Sequence, residues 1–149
     1  MPIENEMSVE EYTKALKKAE REKWERVFAK QLDALEWEYL RQYKFHPDRN
    51  WSFDFVILSS DISGMMADKY TEKELRERAK DICFRDWFVL VDIQGGIWSG
   101  GAHVRGGGYT NDIEKMNAAT ALGWDVYWFT SDMVEDGSAI QFLIDEVWK

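Results

Sequence analysis

WFVLVDIQGGIWSGGAHVRGGGY (87–109) joins two segments that cannot share one conformation. Its first eight residues are aromatic, β-branched and too apolar to leave either face in water, which predicts a central strand over 87–94. Seven of the next fifteen residues are glycine, a density that excludes regular structure and predicts a loop over 95–109. Period two sets Asp92 and Gln94 side by side on one face, at the mouth of that loop.

Downstream, Thr110 or Asn111 has the chemistry of a helix cap, and Gly123 stands where a left-handed residue ends a helix after Leu122. DVYWFT (125–130) predicts a further strand, and 138–148 a last amphipathic helix. Upstream, LRQYKF (40–45) and WSFDFVIL (51–58) flank the turn HPDRN and predict a hairpin. Strict alternation puts Trp51, Phe53 and Phe55 on one face and Asp54 on the other. Ser8 and Glu11 have capping-box spacing, and apolar residues from Tyr12 to Leu35 recur every three or four positions. A helix or helix pair is therefore expected over about 8–37, its charges on a wet face. Thr71 and Glu74 open a second capped helix, to about Cys83, after a loop over 59–70. The order α–β–β–(α)–β–α–β–α predicts an α/β protein with one mixed sheet flanked by helices.

With 149 residues, 45% of them apolar, the chain is the size of one domain with a sizeable core, here read as spanning 1–149. The single cysteine, Cys83, excludes an intramolecular disulfide and suits a reducing cytosol. The acidic start lacks a secretory pattern and no apolar run approaches a membrane span, so a cytoplasmic protein is expected. A net charge of −9 disfavours nucleic acid at first sight. Its distribution is uneven: residues 87–149 hold 3 basic and 9 acidic residues, which makes Arg105 and Lys115, near the glycine-rich stretch, conspicuous.

A carboxylate in a strand as apolar as 87–94 costs several kcal/mol unless it is paired, solvated or bound to a cation. Asp54, inside an aromatic strand, poses the same problem. Two such aspartates converging at a glycine-rich mouth would form a hard-oxygen site for Mg²⁺ or Mn²⁺. The plainer alternative is that Asp54 caps a turn and Asp92 pairs with a cation. His46, before Pro47, reads as a structural turn residue, and the two histidines lack zinc spacing. No Walker A or dinucleotide fingerprint is present.

QYKFHPDRNWSFDF (42–55), VDIQGGIWSGGAHVRGGGY (91–109) and DIEKMNAATALGWDVYWFT (112–130) resemble three consecutive blocks of the PD-(D/E)XK nuclease superfamily. The similarity is to its phage-type branch of small, Holliday-junction-resolvase-like endonucleases. It implies a restriction-endonuclease-like αβββαβ core, Mg²⁺ (or Mn²⁺) as cofactor, DNA as substrate and a homodimer for paired cuts, in a phage or prophage protein of the host cytoplasm. Asp54 takes the place of the first metal-binding aspartate and Asp92 that of the second acid, with the Ile93 carbonyl as a further ligand. Gln94 replaces the motif lysine, although an amide is no base. Lys115, on the following helix, is the candidate substitute. It shares a stripe with Ala119 and Leu122 but lies opposite Ile113 and Met116, so site lysine and surface lysine both stay open. The 38 residues from Asp54 to Asp92, which include the inserted helix, exceed what the resemblance implies.

In the metal-assisted mechanism that follows, Lys44, Arg49, Arg85, His103, Arg105 and Lys115 would hold flanking phosphates, and Trp98, between glycines, is a base-stacking candidate against a core role. The nuclease reading has two rivals: a nuclease fold without activity that binds DNA or protein, and a carbohydrate-acting protein with paired carboxylates.

Overall fold

The computed structural model describes residues 7–58, 71–79, 88–94 and 107–147. The expectations for the loop 59–70, for Cys83 and Arg85, and for Trp98, His103 and Arg105 lie outside them. The elements are α1 (Val9–Ala34), β1 (Tyr39–Lys44), β2 (Ser52–Leu58), α2 (Glu72–Ala79), β3 (Phe88–Gln94), α3 (Gly107–Ala121), β4 (Asp125–Thr130), α4 (Ser131–Glu135) and α5 (Ser138–Phe142). A π-helical turn, Leu143–Val147, follows α5. The sheet order is β1-β2-β3-β4, with β1, β2 and β3 antiparallel and β4 parallel to β3. The protein is therefore mixed α/β with β3 central, as its composition predicts.

Each face of the sheet carries its own core. On one, Phe28, Ala29 and Leu32 of α1 meet Phe55, Ile57, Val91 and Phe129, together with Val134, Ala139 and Leu143 of the C-terminal helices. Phe28 is fully buried with its ring 5.0 Å from that of Phe55, so its truncation carries the ~3–5 kcal/mol of a large core deletion. On the other, Ala119 and Trp124 cover Leu40, Tyr43, Phe53, Val56, Phe88 and Leu90. β3 feeds both cores, which explains why it is apolar on both faces apart from Asp92 and Gln94.

Several local expectations need correction. Phe53 and Phe55 lie in opposite cores, not on one face. The β1–β2 register is continuous in number but skips the Gln42–Asp54 pair, and Gln42 has φ 49°. One left-handed residue in β1 turns the pleat over, so alternation restarts beyond it with the opposite sense. The Tyr12–Leu16 part of the α1 stripe is exposed. At 100° per residue the stripe Val9, Tyr12, Leu16, Ala19 points about 170° away from Glu25, Phe28, Ala29, Leu32, so the body of the fold cannot cover it. α3 begins at Gly107, not after a cap at Thr110 or Asn111. There Asn111 Oδ1 instead accepts the Trp51 indole N–H at 2.9 Å, and this contact holds the turn to the hairpin against glycine's poor propensity. The stretch predicted as one helix over 138–148 is α5 plus the π-turn, with the unforeseen α4 before it.

The caps explain the ends. Ser8 Oγ accepts the Glu11 N–H at 3.1 Å, and Thr71 Oγ1 that of Glu74 at 3.3 Å. α3 stops in a Schellman motif: Gly123 at φ 93°, with Trp124 N–H on the Ala119 carbonyl and Gly123 N–H on that of Thr120. α1 stops the same way, with Trp37 N–H on Leu32 and Glu36 N–H on Asp33, but its left-handed residue is Glu36 at φ 59°. A side chain there carries ~1–2 kcal/mol of strain, partly offset by the ~0.5–1 kcal/mol of chain entropy a glycine loses. Glu36→Gly is expected to raise the melting temperature by about 1–4 °C in a circular dichroism melt; an unchanged or lower value would show that the strain does not exceed the entropy glycine loses.

Candidate functional site

The β2–β3 ladder runs from Leu58↔Phe88 to Phe55↔Val91 and ends there. At the next pair the two aspartate side chains take over from the backbone. Asp54 N–H donates to Asp92 Oδ1 at 2.9 Å, and Ile93 N–H donates to Asp54 Oδ2 at 2.8 Å. The inverted pleat at Asp54 makes this exchange available, because it swings the side chain toward β3. Two acids separated by 38 residues thus sit side by side in the plane of the sheet.

On the α3 side, Lys115 is buried rather than on the surface, and it fills the remaining oxygen of Asp92. Its ammonium lies 2.5 Å from Asp92 Oδ2 and 3.1 Å from the Ser52 carbonyl, over the Phe53 ring. The stripe shared with Ala119 and Leu122 is the one that faces the sheet. Asp92 and Lys115 are both over 90% buried, and removing either partner of such a pair leaves an uncompensated charge. Burial first, then the charge of Asp54, pushes the Asp92 carboxyl up to about 6, with Lys115 opposing. Gln94 closes β3 half-buried, opposite Thr130. Beside Asp92 in register stands Trp128, whose buried indole N–H has no acceptor among the described residues.

The α1 side adds two residues that sequence reasoning missed. Glu25 is 4% exposed, and its carboxylate lies 3.5 Å from the Arg41 guanidinium. The Gln42 amide nitrogen lies 3.3 Å from both Glu25 Oε1 and Asp54 Oδ1, while its oxygen accepts from Ser52 Oγ at 3.4 Å. A signal for Glu25 exists in the chain: it occupies the i position of the buried stripe completed by Phe28, Ala29 and Leu32, where an acid is out of place. No comparable pattern marks Gln42. Burial, followed by a hydrogen bond to Asp54 and that residue's charge, pushes Glu25 up to about 8, against the pull of Arg41 and Arg21.

His46 holds the hairpin turn, its Nδ1 accepting the N–H groups of Asp48 and Arg49, each at 3.0 Å. Lys44 is exposed opposite Ser52. Arg49 lies over the Trp51 ring at 3.9 Å and reaches Glu114 at 3.7 Å. Both cations therefore stand at the hairpin end, next to Lys115 and its carbonyl partner.

The oxygens that meet at the fork are hard ones: Asp54 Oδ1, which the Gln42 amide contacts, and the Asp92 carboxylate, which also receives the Asp54 N–H and Lys115. Two adjacent carboxylates, the charge of Asp54 raising Asp92, suit a divalent ion. Among the described residues no three His, Cys, Asp or Glu side chains form a ready metal-ligand set, so such an ion would keep much of its water shell, as Mg²⁺ does.

Glu25 gives a test of this electrostatic picture. Its carboxyl, raised from 4.5 to about 8, binds more protons folded than unfolded across that interval, so its contribution to stability falls as pH rises from 4.5 to 8. The wild-type melting temperature is expected to drop across this window and that of Glu25→Gln to drop less; parallel curves would contradict it. No family model, curated protein or solved structure matches the chain.

Proposed function

We propose that the chain is a metal-dependent endonuclease that hydrolyses phosphodiester bonds in DNA, with branched DNA as the favoured substrate and a symmetric dimer making paired cuts. The observation that carries this reading is the adjacency of Asp54 and Asp92 at the β2–β3 fork, with the buried Lys115 on Asp92. The order α1–β1–β2–β3–α3–β4 supports a restriction-endonuclease-like αβββαβ core. In this reading the Lys115 ammonium on Asp92 would supply the cation that Gln94 cannot.

Asp54, Asp92 and the Ile93 carbonyl would hold Mg²⁺ or Mn²⁺, which supplies Lewis acidity toward a phosphate oxygen and toward the attacking water. The Lys115 ammonium, paired with Asp92 in a water-poor setting, would offset the charge that develops on phosphorus-bound oxygens. Gln94 can orient a water but accepts no proton as a base. The Trp128 N–H is a spare donor for an anionic oxygen on the same face. Lys44 and Arg49 are placed to hold flanking phosphates, and so few cations give modest, salt-sensitive affinity.

One observation favours the rival reading, a non-catalytic binding module: the Lys115 ammonium already occupies the Asp92 oxygen that faces α3. The two readings separate on purified protein incubated with Mg²⁺ or Mn²⁺ and labelled junction, flap, single-stranded and linear DNAs. Asp54→Asn and Asp92→Asn keep an oxygen for the backbone N–H bonds but lose the charge. Each is expected to cut at least about a hundredfold more slowly with its circular dichroism spectrum retained, Asp92→Asn at a cost in stability because it leaves the buried Lys115 charge unpaired. Wild-type rates in either variant would overturn the assignment. Lys115→Met is expected to lose cleavage and also about 3–5 kcal/mol of stability, measured by urea unfolding, because it strands a buried aspartate; full activity per folded molecule would reduce Lys115 to a structural role.

A further inference from the structure

We infer that Gln42 is a positioning residue: its amide, aimed by a left-handed backbone inside β1, joins the Glu25 and Asp54 carboxylates and holds Asp54 at the β2–β3 fork. The functional consequence rests on the nuclease reading above; the geometric claim does not.

Three observations converge on this residue. A non-glycine residue at φ 49° within a strand is strained, and the residue is Gln rather than the Gly, Asn or Asp that tolerates this conformation. The strain coincides with the one skipped pair of the β1–β2 register, Gln42 opposite Asp54. The side chain is exposed, so packing does not set its direction. Its polar partners do: both carboxylates sit on the donor nitrogen, and Ser52 Oγ sits on the acceptor oxygen. An amide has two N–H donors, one for each carboxylate. It is the neutral group that can bridge two acids without adding charge, and a lysine or arginine there would compete with a bound cation.

Gln42→Gly and Gln42→Asn test this. Both residues accept positive φ, so neither disturbs the backbone, while glycine removes the amide and asparagine is one methylene too short to span both carboxylates. Each variant is expected to fold, to cut about tenfold or more slowly with KM unchanged, and to bind Mn²⁺ several-fold more weakly by electron paramagnetic resonance. Glu25→Gln in the Gln42→Gly background offers Asp54 an amide from the other side, so activity and Mn²⁺ affinity should recover in part, and the melting temperatures of the metal-free proteins should be non-additive. Wild-type turnover and Mn²⁺ affinity in both single variants, or strict additivity with Glu25→Gln, would overturn the inference. If the wild-type protein neither cuts DNA nor binds Mn²⁺, the nuclease reading falls, and the metal-free melting cycle alone decides: coupling between positions 25 and 42 upholds the positioning role and additivity overturns it.

Discussion

Where β2 and β3 part company, two carboxylates do the work of a ladder pair. Asp54 takes the Ile93 N–H and Asp92 takes the Asp54 N–H. An antiparallel pair that ended here without them would leave two backbone donors inside a sheet whose central strand is covered on both faces, at a cost of ~1–3 kcal/mol each. The aspartates thus stabilise the end of the sheet and are held in place by it. This explains how two like charges stay adjacent without a network of surface partners: the backbone N–H groups are fixed, and each carboxylate accepts from the strand opposite.

The remaining electrostatics follow from that adjacency. Asp92 leans on Lys115, and Glu25 leans on Arg41. Three buried or half-buried acids face two close cations, so the cluster holds more negative than positive charge when all groups ionise. Protonation is one release and a divalent cation is another. Burial is the largest cause of the upward shift at both Glu25, raised to about 8, and Asp92, raised to about 6. The chain's overall −9 is therefore a poor guide to this region, whose character depends on how few cations stand where.

Strand identity and order were legible because they depend on composition over six to eight residues: 40–45, 51–58, 87–94 and 125–130 agree with the strands to within one residue at either end. The α3 stop was legible because left-handed geometry selects Gly123. What failed depends on single backbone angles or on long-range packing. Alternation placed Phe53 with Phe55, and one residue of the partner strand at φ 49° undoes it. Three glycine-rich residues read as loop, yet Gly107–Tyr109 are helical because residues farther along α3 dock on Trp51 and Asp92. Lys115 was undecidable on a helical wheel, since the sheet-facing side of α3 is set by tertiary contact. Glu25 was visible as an acid on an apolar stripe, and a charge-rich helix hid it.

The inverted pleat also explains why the site draws on both helix layers. In an unbroken strand, Asp54 and its neighbours would present alternate side chains to one layer or the other, and a helix on each face could not reach a common group. Turning the pleat at Gln42 and Asp54 puts the Asp54 carboxylate in the sheet plane. From there the contacts run from Glu25 on α1 through Gln42 to Asp54, across the fork to Asp92, and on to Lys115 on α3. Each link is a hydrogen bond or ion pair between groups from different elements, so the cluster forms only when α1, the hairpin, β3 and α3 are all in place. A local distortion of one strand thus couples the chemistry of the site to the complete fold.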